Sequence, residues 1–200
     1  MIAAIVTPSA GGRVLTRSFY ARDTVTVARG LLGKVLVHGA TSGRIVEVEA
    51  YLGVDDRAAH SFRGVTPRTR VIFGLPGHAY VYLIYGMYKC LNIVAEPDGV
   101  AGCVLIRALE PMRGVAEMRE RRPRVKRVEE LANGPGKLTL AMGIDRGHYG
   151  ADLTGAQGSL MVQDSGAEDF AIVTTARIGI RESAELPLRF YIAGNACVSH

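Results

Sequence analysis

The chain has no tryptophan, and only 6% of its residues are aromatic, so where its few rings fall is informative. Its three cysteines, Cys90, Cys103 and Cys197, lie in apolar runs without CxxC spacing. That spacing argues against a structural zinc site, and an odd number without a disulfide pattern fits a reducing compartment. No apolar run approaches the roughly 20 residues of a membrane span. Residues 1–8 are too short and too uncharged for a secretory signal. The expectation is a cytoplasmic, intracellular protein with no membrane partner, no metal and no cofactor. No Pro/Ser/Gly-rich linker or internal repeat divides the 200 residues, and 48% hydrophobic content suffices for one core. A single domain over 1–200 is predicted, with residues 1–18 a flexible arm broken by Pro8, Gly11 and Gly12.

What is present in excess is positive charge, a net +5, which favours a polyanionic partner. Four of the eight tyrosines fall together in His78-Ala-Tyr80-Val-Tyr82-Leu-Ile-Tyr85-Gly-Met-Tyr88. Rings beside cationic charge are what holding an unstacked nucleobase requires. Upstream, Arg44-Ile-Val-Glu-Val-Glu49-Ala-Tyr51 sets Glu47, Glu49 and Tyr51 on one face of a strand. A solvent-facing strand edge accounts for that spacing as it stands. A general base beside an aromatic wall accounts for it too, and His60 follows closely enough to join the same cavity.

Asp23 predicts the cap of a helix over 24–32 ended by Gly33. Strands are expected at 34–38, 44–51, 78–85, 88–94, 103–110, 159–162, 176–181 and 188–192. Helices are expected at 112–122, opened by Pro111, and at 138–142. This order is α+β, without the βα alternation of a doubly wound sheet. Tyr80 and Tyr88 read as sheet core, whereas Tyr85, beside the Gly86 turn, reads as an exposed ring able to wedge between base pairs. Arg107, inside the apolar run 103–109, needs an acidic partner or an anionic ligand. The basic run over 113–127 is a solvated face or a source of phosphate contacts. Gly134-Pro-Gly-Lys137 fails as a phosphate loop, because Leu131 and Leu138 stand where a glycine and a Ser/Thr belong.

The runs Arg44-Ile-Val-Glu-Val-Glu-Ala-Tyr-Leu-Gly53, Ala58-Ala-His-Ser61, Tyr80-Val-Tyr-Leu-Ile-Tyr-Gly-Met-Tyr88, Val104-Leu-Ile-Arg-Ala-Leu-Glu-Pro111, Gly134-Pro-Gly-Lys-Leu138 and Ala176-Arg-Ile-Gly179 resemble, in order, those of the alkyladenine (3-methyladenine, methylpurine) DNA glycosylase family. The resemblance spans roughly residues 23–199. It implies one mixed domain around a curved antiparallel sheet, with a DNA-intercalating β-hairpin. It implies a monomer acting on double-stranded DNA containing damaged purines, nucleoid-associated if bacterial. Glu49 would activate water, with Arg107 and the carbonyl of Ile178 holding it. Tyr51, His60 and Tyr82 would sandwich the flipped base, Asn92 would line the pocket floor, and Tyr85 would fill the vacated space. Two other readings stand beside this one: a non-catalytic nucleic-acid-binding module, and a carbohydrate hydrolase using Glu47 and Glu49 as its acid pair.

Overall fold

The computed structural model describes residues 12–84, 86–155, 158–164, 166 and 169–199. Eight antiparallel strands form one open sheet with helices packed on it. The strands are β1 (Val35–His38), β2 (Thr41–Tyr51), β3 (Ala79–Ile84), β4 (Tyr88–Val94), β5 (Cys103–Arg113), β6 (Leu160–Gln163), β7 (Ile172–Thr175) and β8 (Arg189–Ile192). The helices are α1 (Arg17–Tyr20), α2 (Thr24–Leu31), α3 (Val115–Arg121) and α4 (Pro135–Met142). The main path runs β3-β4-β5-β2-β1-β6.

β2 is the spine. One edge pairs with β5 along nearly its whole length. The other edge is shared, β1 taking Thr41 to Arg44 and β8 taking Glu47 to Glu49. Val46, Val48, Val104 and Ile106 point into the main core with Val27, Ala28 and Leu31 of α2 and Leu138, Ala141 and Met142 of α4. Alternation along β2 and β5 then leaves the opposite face for the site. The β2–β5 register slips on either side of Glu47, so that Val46 and Arg107 are each an extra residue in their strand. Such bulges bend the ladder and re-aim side chains, and here one of them carries Arg107.

Asp23 caps α2 as expected, accepting from the Thr26 N–H at 2.9 Å. The expected helix over 112–122 is shorter, because β5 continues through Pro111 to Arg113. Pro111 sits opposite Gly43 at a register shift, where the ladder is already broken. The chain turns only at Gly114, at φ 69° with Thr41 and Ala40 too close for any Cβ. The expected strand over 176–181 is absent and β7 lies just before it, since the polar groups of 177–178 are drawn into the site. Tyr88, expected in the core, is exposed, whereas Tyr80 is buried. Residues 13–18 of the expected arm are tied down: Leu15 is buried and its N–H donates to the Val162 carbonyl at 2.9 Å. Arg17 pairs with Asp152 at 2.6 Å. Tyr85, expected as an exposed intercalating ring, lies outside the described residues, as do residues 1–11. No helix of the described residues is long and apolar enough to cross a membrane.

Candidate active site

A cavity of about 350 Å³ opens on the sheet face opposite the main core. β3 contributes Tyr80 and Tyr82, β4 Cys90 and Asn92, β5 Leu105 and Arg107, and the end of β2 Tyr51. His60 enters from a 3-10 turn (His60–Arg63), and residues 178–180 close the far side. The volume suits a ligand of nucleobase size.

The aromatic wall is held by polar contacts. His60 packs edge-on to Tyr82, with centroids 4.6 Å apart at 79°, and its Nδ1 lies 2.9 Å from the Tyr80 hydroxyl. Arg68 donates through Nε to that hydroxyl at 3.1 Å, faces His60 Nε2 at 3.4 Å, and lies over the Tyr82 ring at 5.0 Å. A guanidinium can only donate, so Nε2 is the acceptor and the proton of neutral His60 sits on Nδ1. Although His60 is exposed as a residue, its pKa is lowered to about 4, by burial of the imidazole against the tyrosines and then by Arg68. Burial likewise raises the phenol of Tyr80 to about 12 and those of Tyr51 and Tyr82 further. The wall is therefore neutral at physiological pH. Asn92 is buried and donates to the Tyr80 carbonyl at 3.2 Å. Beside it, Cys103 is pushed up to about 12 by burial and stays a thiol.

Behind the cavity lie the two carboxylates. The solvent-edge reading fails, since Glu47 and Glu49 are fully buried. Glu49 Oε1 accepts the Ile178 N–H at 2.7 Å and pairs with Arg107 Nη1 at 3.1 Å, while Oε2 accepts the Tyr51 hydroxyl at 3.0 Å. Ile178 thus makes its contact with Glu49 through its N–H. Tyr51, Arg107 and Ile178 line the cavity and Glu49 sits directly beneath them. Burial opposes the charge on Arg107, but Glu49 and Glu47 more than offset this and raise its pKa. Separately, Arg177 forms a fully buried pair with Asp56, donates to the Ala50 carbonyl at 2.9 Å, and stacks on Tyr51 at 4.6 Å. This clamp joins the segment carrying Ile178 to the loop leading to His60.

Sequence reasoning missed Arg68, which lies in none of the runs read for chemistry, and Arg177, whose partner is 121 residues away. Within the basic run, Arg119, Arg121 and Arg122 donate to backbone carbonyls and Arg127 pairs with Glu129 at 3.6 Å. Among the described residues, no three His, Cys, Asp or Glu side chains converge as a metal site.

Fold and cavity together define a class, an α+β domain with an aromatic, base-sized pocket built over a buried carboxylate. Residues 18–196 match the family described as methylpurine-DNA glycosylase (MPG). A protein of Methanocella arvoryzae named "Putative 3-methyladenine DNA glycosylase" is 52% identical over 193 residues, covering 93% of this chain and 96% of its own. Proteins of the same name from Alkaliphilus oremlandii and Burkholderia lata are 49% and 48% identical, covering 92% and 94% of this chain and 98% and 92% of their own. The chain belongs to the methylpurine-DNA glycosylase family.

Proposed function

We propose that the protein is a monofunctional DNA glycosylase that flips alkylated, and also deaminated, purines and hydrolyses the N-glycosidic bond with Glu49-activated water, leaving an abasic site. The observation that carries this reading is the aromatic cavity set directly over the Glu49–Arg107 pair. Flipping costs a few kcal/mol. Stacking on an aromatic side chain returns about 1–3 kcal/mol per base, and Tyr51, Tyr82 and His60 offer the surfaces. A base made cationic by alkylation is both a better leaving group and better held by electron-rich rings, by about 0.5–2 kcal/mol at a favourable contact. Asn92, packed at the cavity floor, sets the shape available to the purine edge and would crowd the exocyclic amine of guanine.

Glu49 keeps lone pairs beyond its three contacts, but water reaches it only when Tyr51 or Ile178 gives way. In this reading the flipped nucleotide provokes that shift, and Arg107 and Ile178 then hold the water. No lysine lines the described cavity, which supports a water nucleophile rather than an amine and therefore an intact abasic strand. Strands β3 and β4, with exposed Leu83, Met87 and Tyr88 near their connection, would enter the minor groove of double-stranded DNA, and Tyr85 would fill the gap left by the flipped base. The protein would act as a monomer inside the cell.

The complete burial of Glu49 favours one other reading, a binder without catalysis. Incubating excess protein with duplexes carrying 3-methyladenine or hypoxanthine separates the two. Free base, an unbroken strand and no borohydride-trapped adduct are expected. Binding without release would establish the non-catalytic module, and a trapped adduct would overturn the water mechanism.

A further inference from the structure

Arg107 does not reach Glu49 unaided. Its Nε donates to Glu47 Oε1 at 2.9 Å and its Nη2 to the Ser199 hydroxyl at 3.2 Å, leaving Nη1 to meet Glu49 at 3.1 Å. All three edges of the guanidinium fork are engaged. Because the fork is planar and rigid, fixing two edges fixes the direction of the third.

Ser199 is bound at every polar atom. Its N–H donates to Glu47 Oε2 at 2.6 Å, its hydroxyl donates to Glu47 Oε1 at 2.8 Å, and its carbonyl accepts from Arg189 at 3.1 Å. Arg189 Nε closes the cluster on Glu47 Oε1 at 2.7 Å. Glu47, Arg107 and Ser199 are all buried. A charged cluster held away from water is costly unless each member is satisfied, so loss of one donor is expected to reorient the rest. Position 107 also sits at a bulge, where the ladder does not by itself fix where the side chain points.

We infer that Ser199, bonded to both Glu47 and Arg107, is a positioning residue that aims Arg107 at Glu49, and so is a working part of the site. This rests on the glycosylase reading. The hydroxyl has two jobs, donating to Glu47 and accepting from Arg107; a second hydroxyl can perform both, a thiol only weakly, and a methyl neither.

The test is base release from 3-methyladenine duplex under enzyme excess, with duplex affinity and melting temperature measured alongside, for wild type, Ser199→Thr, Ser199→Cys and Ser199→Ala. A hydrogen bond to a charged group sets the scale: Ser199→Ala should lower the release constant about tenfold at near-unchanged duplex affinity. Ser199→Thr should restore it, and Ser199→Cys should fall between. Equal release constants across the series would overturn the inference, as would a loss carried wholly in affinity or one that threonine fails to restore. Absence of release by the wild type would instead sink the glycosylase reading itself.

Discussion

Removing one partner from the Arg177–Asp56 clamp gives the sharpest stability test. In Asp56→Asn the guanidinium stays buried, with the Ala50 carbonyl at 2.9 Å and the Ser183 carbonyl at 3.3 Å but no counter-charge. Breaking a buried pair in this way costs about 3–5 kcal/mol. Asp56 also accepts the backbone N–H groups of Leu52 at 3.2 Å and Ala58 at 3.0 Å. An asparagine oxygen can keep one of them, so the total stays near the upper end of that range. For a chain of this size the loss corresponds to a fall in Tm of roughly 6–20 °C. Urea unfolding should show a lower midpoint at unchanged slope. Removing both charges with Asp56→Leu and Arg177→Met should cost much less than the sum of the single changes. Burial opposes ionisation of Asp56, but its bonds to Arg177 outweigh this and lower its pKa. A lowered carboxylate contributes stability above its unfolded value, lost as pH falls through the folded one. The wild type should therefore lose this contribution below about pH 3.8, and Asp56→Asn should not. A single-site cost under about 1 kcal/mol, typical of an exposed pair, or strict additivity in the double variant, would show that the pair is not a buried clamp.

Tyr82→Ala should weaken binding of a flipped base by about 1–3 kcal/mol, roughly five- to a hundred-fold, while Tyr82→Phe retains most of it; equal affinities of the alanine variant and wild type for a lesion duplex would contradict the stacking role. His60 should titrate near pH 4 in an NMR pH series, and Arg68→Ala should move that midpoint up. Because the folded value is depressed, stability falls as pH drops from about 6.5 towards 4, and a wild-type midpoint above 6 would contradict the assigned environment.

Local rules carried the fold a long way. The Asp23 cap, the bounds of β4 and the α+β order follow from capping, alternation and turn residues. They failed at Pro111, because a broken register lets a proline remain in a strand. They failed again over 176–181, where the Ile178 N–H turns to Glu49 and the Arg177 guanidinium to Asp56 instead of the segment joining the ladder. Glu49, Tyr51, His60, Tyr82 and Arg107 were legible as chemistry-bearing types, and Asn92 only through the family resemblance; all but the buried Glu49 line one cavity. What decides their geometry was not legible. The bulge that re-aims Arg107, the Ile178 N–H on Glu49 and the Ser199 contacts join residues far apart in the chain, and such pairings leave no periodic trace.

In the proposed mechanism Glu49 performs the chemistry while the aromatic cavity performs the binding. The direct measurement is single-turnover base release from 3-methyladenine duplex by wild type and Glu49→Gln, with duplex affinity determined for both. Wild type should release free base, and the variant should bind comparably and release little. Comparable release by the two proteins would contradict the assignment of Glu49.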